Sequence, residues 1–122
     1  MSDSTNSQSE KYINLLPELL NDYLRKKGWN CARLANESGF SKATISRITK
    51  YKKNKKEWHQ PEEEVIIAIA LALRLSLNEY EELRSAAFPE RMIWLDSLRE
   101  GRSLIETNEI LYDLGLPIIN NK

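Results

Sequence analysis

Basic and hydroxyl side chains are concentrated in residues 41–56, which makes this stretch the strongest candidate for binding an anion. The segment from Arg47 to Lys56 contains six basic residues and no acidic residue: Arg47, Lys50, Lys52, Lys53, Lys55 and Lys56. Ser41, Lys42 and Thr44 lie just before it and add hydrogen-bond donors. This chemistry suits the phosphates of a nucleic acid. The alternative is that the lysines form only a solvated loop.

The charge of the whole chain is segregated along the sequence. The formal net charge is zero, from 18 Lys or Arg and 18 Asp or Glu. Residues 11–59 hold 12 basic and 4 acidic residues, a net charge of +8, whereas residues 60–122 hold 6 and 12, a net charge of −6. Residues 1–10 supply the remaining −2. The segregation favours one positive face, as binding to nucleic acid requires.

The residue types that support catalysis are scarce. His59 and Cys31 are the single histidine and the single cysteine, and neither has a second ligand at metal-binding spacing. No glycine-rich phosphate loop occurs among four glycines. The carboxylates of residues 62–64 are explained by their place at the start of a helix. We therefore expect no enzymatic activity, no catalytic residue, no metal site and no cofactor.

Residues 30–50 have the pattern of two short helices joined by a tight turn. Asn30 and Ser41 can cap the two helices, and Gly39 lies where the first should end in a left-handed residue. Leu34 and Ala35 face inward from the first helix, as do Ile45 and Ile48 from the second. The pattern therefore predicts a helix-turn-helix whose second helix presents four residues outward: Lys42, Ala43, Thr44 and Arg47.

Three stretches carry a resemblance to a known family: Leu34-Ala35, Ser38-Gly39-Phe40-Ser41 and Thr44-Ile45-Ser46-Arg47-Ile48. They resemble the phage-repressor (Cro-type, XRE-like) helix-turn-helix of small bacterial DNA-binding proteins. The resemblance implies a compact, repressor-like five-helix domain over residues 11–87, with double-stranded DNA as the partner. It also implies transcription regulation and a dimer on two half-sites. The chain departs from the family at Cys31, where a glutamine is common, and at Thr49 and Tyr51, where a glutamate and a glycine are common.

The resemblance also assigns functions to individual residues. Ser41 would cap the recognition helix and contact a phosphate. Lys42, Ala43 and Thr44 would lie at base edges, and Arg47 would reach a guanine or a phosphate. The lysines that follow would hold the DNA backbone: Lys50, Lys52, Lys53, Lys55 and Lys56.

The remaining chain predicts an all-α protein of six or seven helices. Residues 1–10 are serine-rich and are expected to be a disordered tail. A first helix should run from Leu15 or Pro17 to Lys27, and a helix opened by Pro61 should continue through Val65–Leu73 as the centre of the bundle. Further helices are predicted over about 77–87, 89–99 and 106–114. Residues 88–122 would form a helical extension that packs on the domain, which we favour, or makes a dimer surface.

Composition and length set the remaining expectations. The chain is long enough for one domain with a real core, and its single cysteine excludes an internal disulfide. No secretory signal is evident, and the longest apolar run is far shorter than the roughly 20 residues of a membrane helix. The sequence predicts a soluble, cytoplasmic protein without a membrane or small-molecule partner. The alternative function is a helical protein-interaction module, antitoxin-like or an adaptor, that uses the C-terminal half.

Overall fold

Seven α-helices make up the described chain. The computed structural model describes residues 2–54 and 56–120, with side chains from Tyr12 onward. No strand occurs in these ranges, so the prediction of an all-α protein is confirmed. The helices are α1 (Ser2–Lys27), α2 (Cys31–Ser38), α3 (Lys42–Thr49), α4 (Glu63–Leu73), α5 (Leu77–Ala87), α6 (Glu90–Glu100) and α7 (Leu104–Leu114).

Helix α1 is longer at its N-terminal end than its sequence pattern predicts. It begins at Ser2 and passes through Pro17, whereas the predicted start was Leu15 or Pro17. Pro17 has no N–H to donate to the carbonyl of Ile13, but its ring is buried in the core, and that burial offsets part of the lost hydrogen bond. The predicted disordered tail falls on residues 1–10, whose side chains lie outside the described residues, and it stays a prediction.

Two other helix starts differ from the predictions. Helix α4 begins at Glu63, so Pro61 precedes the helix and does not lie in its first turn. Helix α7 begins at Leu104, two residues before the predicted start, because Ser103 caps it. The Ser103 hydroxyl accepts from the Glu106 N–H at 3.1 Å, and the Glu106 carboxylate accepts from the Ser103 N–H at 2.8 Å.

The main core lies among α1–α5. Helix α1 packs against α3, α5 and α7, and α4 packs against α2 and α5. The core is formed by aliphatic side chains that are all but fully buried, among them Leu20, Leu34, Ile45, Ile66, Ile69, Leu73 and Leu83. The prediction that α4 is the centre of the bundle is wrong for one side of that helix, because Leu71 is 71% exposed.

A second apolar cluster attaches the C-terminal helices to the rest of the chain. It joins Ile13 of α1 and Trp58 of the α3–α4 loop to side chains of α6, α7 and the residues that follow: Ile93, Leu111, Leu114 and Leu116. One face of the C-terminal pair is therefore buried within the chain. The same two helices also expose large apolar side chains, namely Trp94, Leu95, Leu98, Leu104 and Ile105.

Two leucines of the C-terminal pair should differ sharply when truncated. Leu111 is 0% exposed and Leu98 is 79% exposed. We expect Leu111→Ala to lower the free energy of unfolding by about 2–5 kcal/mol, because it removes buried methyl groups and leaves a cavity. For the monomer, at low protein concentration, Leu98→Ala should change it by less than about 0.5 kcal/mol. Urea denaturation of the two variants tests this, and equal effects would contradict the second cluster.

Candidate nucleic-acid interface

The turn between α2 and α3 is built from local backbone chemistry. The Asn30 side chain accepts from the Arg33 N–H at 2.8 Å, and the Ser41 hydroxyl accepts from the Thr44 N–H at 3.1 Å. Gly39 has a φ of +83°, the left-handed conformation that costs glycine little. Both predicted caps and the predicted helix stop are confirmed. They fix where α3 begins and which of its residues face outward.

The outer face of α3 is polar and basic. Lys42, Ala43 and Arg47 are exposed, whereas Ile45 and Ile48 are buried in the core. Within the described residues, the Lys42 ammonium and the Arg47 guanidinium have no hydrogen-bond or ion-pair partner. Thr44 is half-buried, and its hydroxyl lies 3.0 Å from the Ser41 hydroxyl.

The lysines after α3 fall into two groups. Lys50, Lys53 and Lys56 are exposed, and Lys55 lies outside the described residues. Lys52 differs, because its ammonium donates to the carbonyl of Arg47 and, at 2.7 Å, to the carbonyl of Lys50. Burial lowers the pKa of Lys52, and the nearby Glu57 carboxylate raises it less strongly. The structure thus places the Lys52 charge on the C-terminal end of α3, where a cation stabilises the helix dipole.

Two asparagines of α1 position this region, although no short sequence motif marks them. Asn14 accepts from the Lys52 N–H at 2.6 Å and donates to the Lys52 carbonyl at 2.9 Å. Asn21 donates to the Thr49 carbonyl at 3.0 Å. The two asparagines are seven residues apart and share one face of α1. Polar residues on a face that is otherwise apolar were the available signal, because a buried amide needs a partner.

The loop that follows is closed by a turn around Asn54. The Asn54 side chain accepts from the N–H of Lys56 at 3.0 Å and from that of Glu57 at 3.3 Å. The Glu57 carboxylate in turn accepts from the Lys53 N–H at 2.9 Å. Trp58 is buried in the second apolar cluster. The loop is therefore held at both ends, by Asn14 and by Trp58.

A groove of about 320 Å³ runs beside the outer face of α3. Thr44 and Arg47 form one wall, and His59 and Pro61 of the α3–α4 loop form the other. The groove gives α3 a concave flank, so an elongated ligand lying along α3 would touch both the helix and the loop.

No group of three or more His, Cys, Asp or Glu residues that could hold a metal ion occurs in the described part of the chain. Among the same residues, no helix is both long and apolar enough to cross a lipid bilayer. Comparison with family models, curated proteins and solved structures gives no significant match for this chain. The function is therefore inferred from the site itself.

Removing the Asn14 side chain should loosen the basic loop. We expect Asn14→Ala to lower the free energy of unfolding by about 1–3 kcal/mol, because the N–H and C=O of Lys52 lose their partners. Hydrogen exchange at the Lys52 amide should accelerate by more than this global loss explains. Asn36→Ala is the matched control, since Asn36 is exposed on α2. Unchanged protection of the Lys52 amide would contradict the assigned role of Asn14.

Proposed function

We propose that the chain binds double-stranded DNA sequence-specifically and acts as a transcriptional regulator of the repressor-like, XRE type. In this proposal α1–α5 form the repressor-like domain, α2 and α3 form its helix-turn-helix, and α3 enters the major groove. Helix α3 has 8 residues. With its side chains, a helix is about 10–12 Å in diameter, which suits a major groove about 12 Å wide.

One observation carries the proposal: unpaired cations continue from the outer face of α3 into the loop. Lys42 and Arg47 lie on the helix, and Lys50, Lys53 and Lys56 follow it, all exposed. Like charges brought together repel one another, so folding alone gives no reason for this arrangement. A polyanion would neutralise them together.

The proposal divides these residues between base contacts and phosphate contacts. Lys42 and Arg47 can donate to the O6 and N7 atoms of guanine, and Ala43 and the Thr44 methyl can contact a thymine methyl. Lys50, Lys53, Lys55 and Lys56 hold the DNA backbone. Ser41 contributes as the cap of α3. Its hydroxyl accepts from the Thr44 N–H, and the other amides of the first turn can donate to a phosphate. We assign Lys52 to the fold, because its ammonium already binds two carbonyls.

A homodimer would present two α3 helices to half-sites roughly 34 Å apart. The exposed apolar face of α6 and α7 supports such an association, since patches of this kind mark interaction sites. The same face supports the alternative function, a helical protein-interaction module that uses the C-terminal half. DNA selection separates the two, because only the first function predicts an enriched sequence.

Loss of the two cations on α3 should remove sequence preference. On the best duplex selected by the parent protein, we expect Lys42→Ala and Arg47→Ala each to cost about 1–3 kcal/mol of binding free energy. The double variant should bind that duplex no better than a mixed-sequence duplex. Fluorescence anisotropy gives the affinities, and circular dichroism should show unchanged helical content. A double variant that binds like the parent would refute the placement of α3 in the groove.

Lys53 and Lys52 should behave differently although they are neighbours. Lys53→Met should weaken binding to every duplex alike and reduce the slope of log K against log salt by about 0.9, because one phosphate contact is lost. Lys52→Met should leave that slope unchanged and lower the free energy of unfolding instead. Lys27→Met, at the end of α1, is the control and should leave the slope unchanged. An equal change of slope for both lysine variants would contradict the assignment of Lys52 to the fold.

A further inference from the structure

A groove with an apolar floor lies between α1 and α5, with a volume of about 550 Å³. Its walls follow helical spacing, with residues 15, 18, 19 and 22 on α1 and residues 78, 81, 82 and 85 on α5. These are positions i, i+3, i+4 and i+7 of each helix, so each wall is about two turns long. The floor is formed by Leu15, Leu19, Ala86 and Met92. Such a groove has the form that accepts a third helix.

The rim of this groove is acidic. Glu18, Glu81 and Glu82 are exposed and have no ion-pair partner within the described residues, and no lysine or arginine lines the groove. Asp22 also lies on the rim, and its carboxylate pairs with Arg25.

The outer face of α6 has the complementary chemistry. Trp94, Leu95 and Leu98 are exposed at helical spacing. Arg91 precedes this stripe, and Arg99 follows it on the same side of the helix. Arg91 has no ion-pair partner among the described residues, whereas Arg99 pairs with Asp96 on the surface. The stripe is therefore apolar in the middle and basic at its ends.

The groove and the stripe adjoin each other on one molecule. Met92 belongs to α6 and lines the groove, so the outer face of α6 begins beside the groove's rim. Suppose that a two-fold axis places α6 of one copy in the groove of its partner. The same axis then places α6 of the partner in the groove of the first copy. Both contacts then form in one closed, isologous interface.

We propose that two copies of this chain form a dimer in which the outer face of α6 of each copy lies in the acidic α1–α5 groove of the other. Leu98 and its apolar neighbours fill the floor of the partner's groove, and the arginines of α6 approach the rim carboxylates. This inference deepens the proposed function, because it supplies the contact of its homodimer. The groove shares no residue with the groove beside α3, so DNA and the second copy bind at separate places.

Charge reversal tests this contact between α6 and the groove directly. The groove variant is Glu18→Arg with Glu82→Arg, and the helix variant is Arg91→Glu with Arg99→Glu. Each variant alone should be monomeric, because its groove and its α6 carry the same sign. An equimolar mixture should dimerise, since each groove then meets an α6 of opposite charge. Light scattering gives the masses at about 100 μM protein, where a dimer of micromolar Kd is largely formed, and circular dichroism verifies the fold.

The apolar contact has a matched pair of test positions. Leu98→Asp should abolish the dimer, whereas Leu71→Asp should not, although the two leucines are 79% and 71% exposed. A parent chain that is monomeric at this concentration would overturn the proposal and leave the apolar face to another protein. Dimers of the reversed variants alone, or a mixture that stays monomeric, would overturn it as well. The readout is mass, so it is independent of whether the chain binds DNA.

Discussion

Hydrogen bonds from two asparagines of α1 hold the basic surface in one position. Asn14 binds both backbone groups of Lys52, and Asn21 binds the carbonyl that ends α3. Asn14 is only 3% exposed, and a buried amide left without partners costs about 1–3 kcal/mol. Burial of α1 in the core therefore imposes one position on a loop that carries too little apolar surface to fix itself. The Asn54 turn and Trp58 complete the attachment.

The basic residues of the described chain fall into two groups: those whose charge has a partner in the fold and those whose charge has none. Several cations lie in local or surface ion pairs, such as Arg25 with Asp22 and Arg84 with Glu63. Pairs of this kind contribute about 0–1 kcal/mol and fix nothing of the architecture. Lys52 is used inside the fold, on the end of α3. Lys42 and Arg47 have no partner of this kind within the described residues. They lie on α3, whose position is fixed by the two asparagines and whose start is fixed by the Ser41 cap. The proposed recognition surface consists of the cations that have no hydrogen-bond or ion-pair partner within the described residues.

Features that depend on neighbours in sequence could be predicted, and features that depend on distant partners could not. The caps at Asn30 and Ser41, the stop at Gly39 and the bounds of α5 follow from residues within four positions of each other, and the structure confirms them. The pairing of Asn14 with Lys52 spans 38 positions, so periodicity alone gives no access to it. For the same reason Lys52 was grouped with the other lysines of its run, although its charge lies on the carbonyls of α3.

Apolar residues show the same limit. The continuous apolar run of α4 indicates burial on nearly every side, yet Leu71 is 71% exposed. The extension 88–122 was predicted to pack on the domain or to form a dimer surface, and it offers a face for each. Its inner face meets α1 and Trp58, and its outer face presents Leu98. A sequence shows that apolar surface exists, but which face another element covers depends on how the helices pack.

Selection of sequences from a random duplex library by the purified chain, at about physiological salt, tests the central claim most directly. At that salt non-specific phosphate binding is weakened, so enrichment reports base contacts. The account predicts an enriched inverted repeat whose half-sites lie about 10 base pairs apart, and no enrichment by the Lys42→Ala/Arg47→Ala variant. A folded parent chain that enriches no sequence would contradict it.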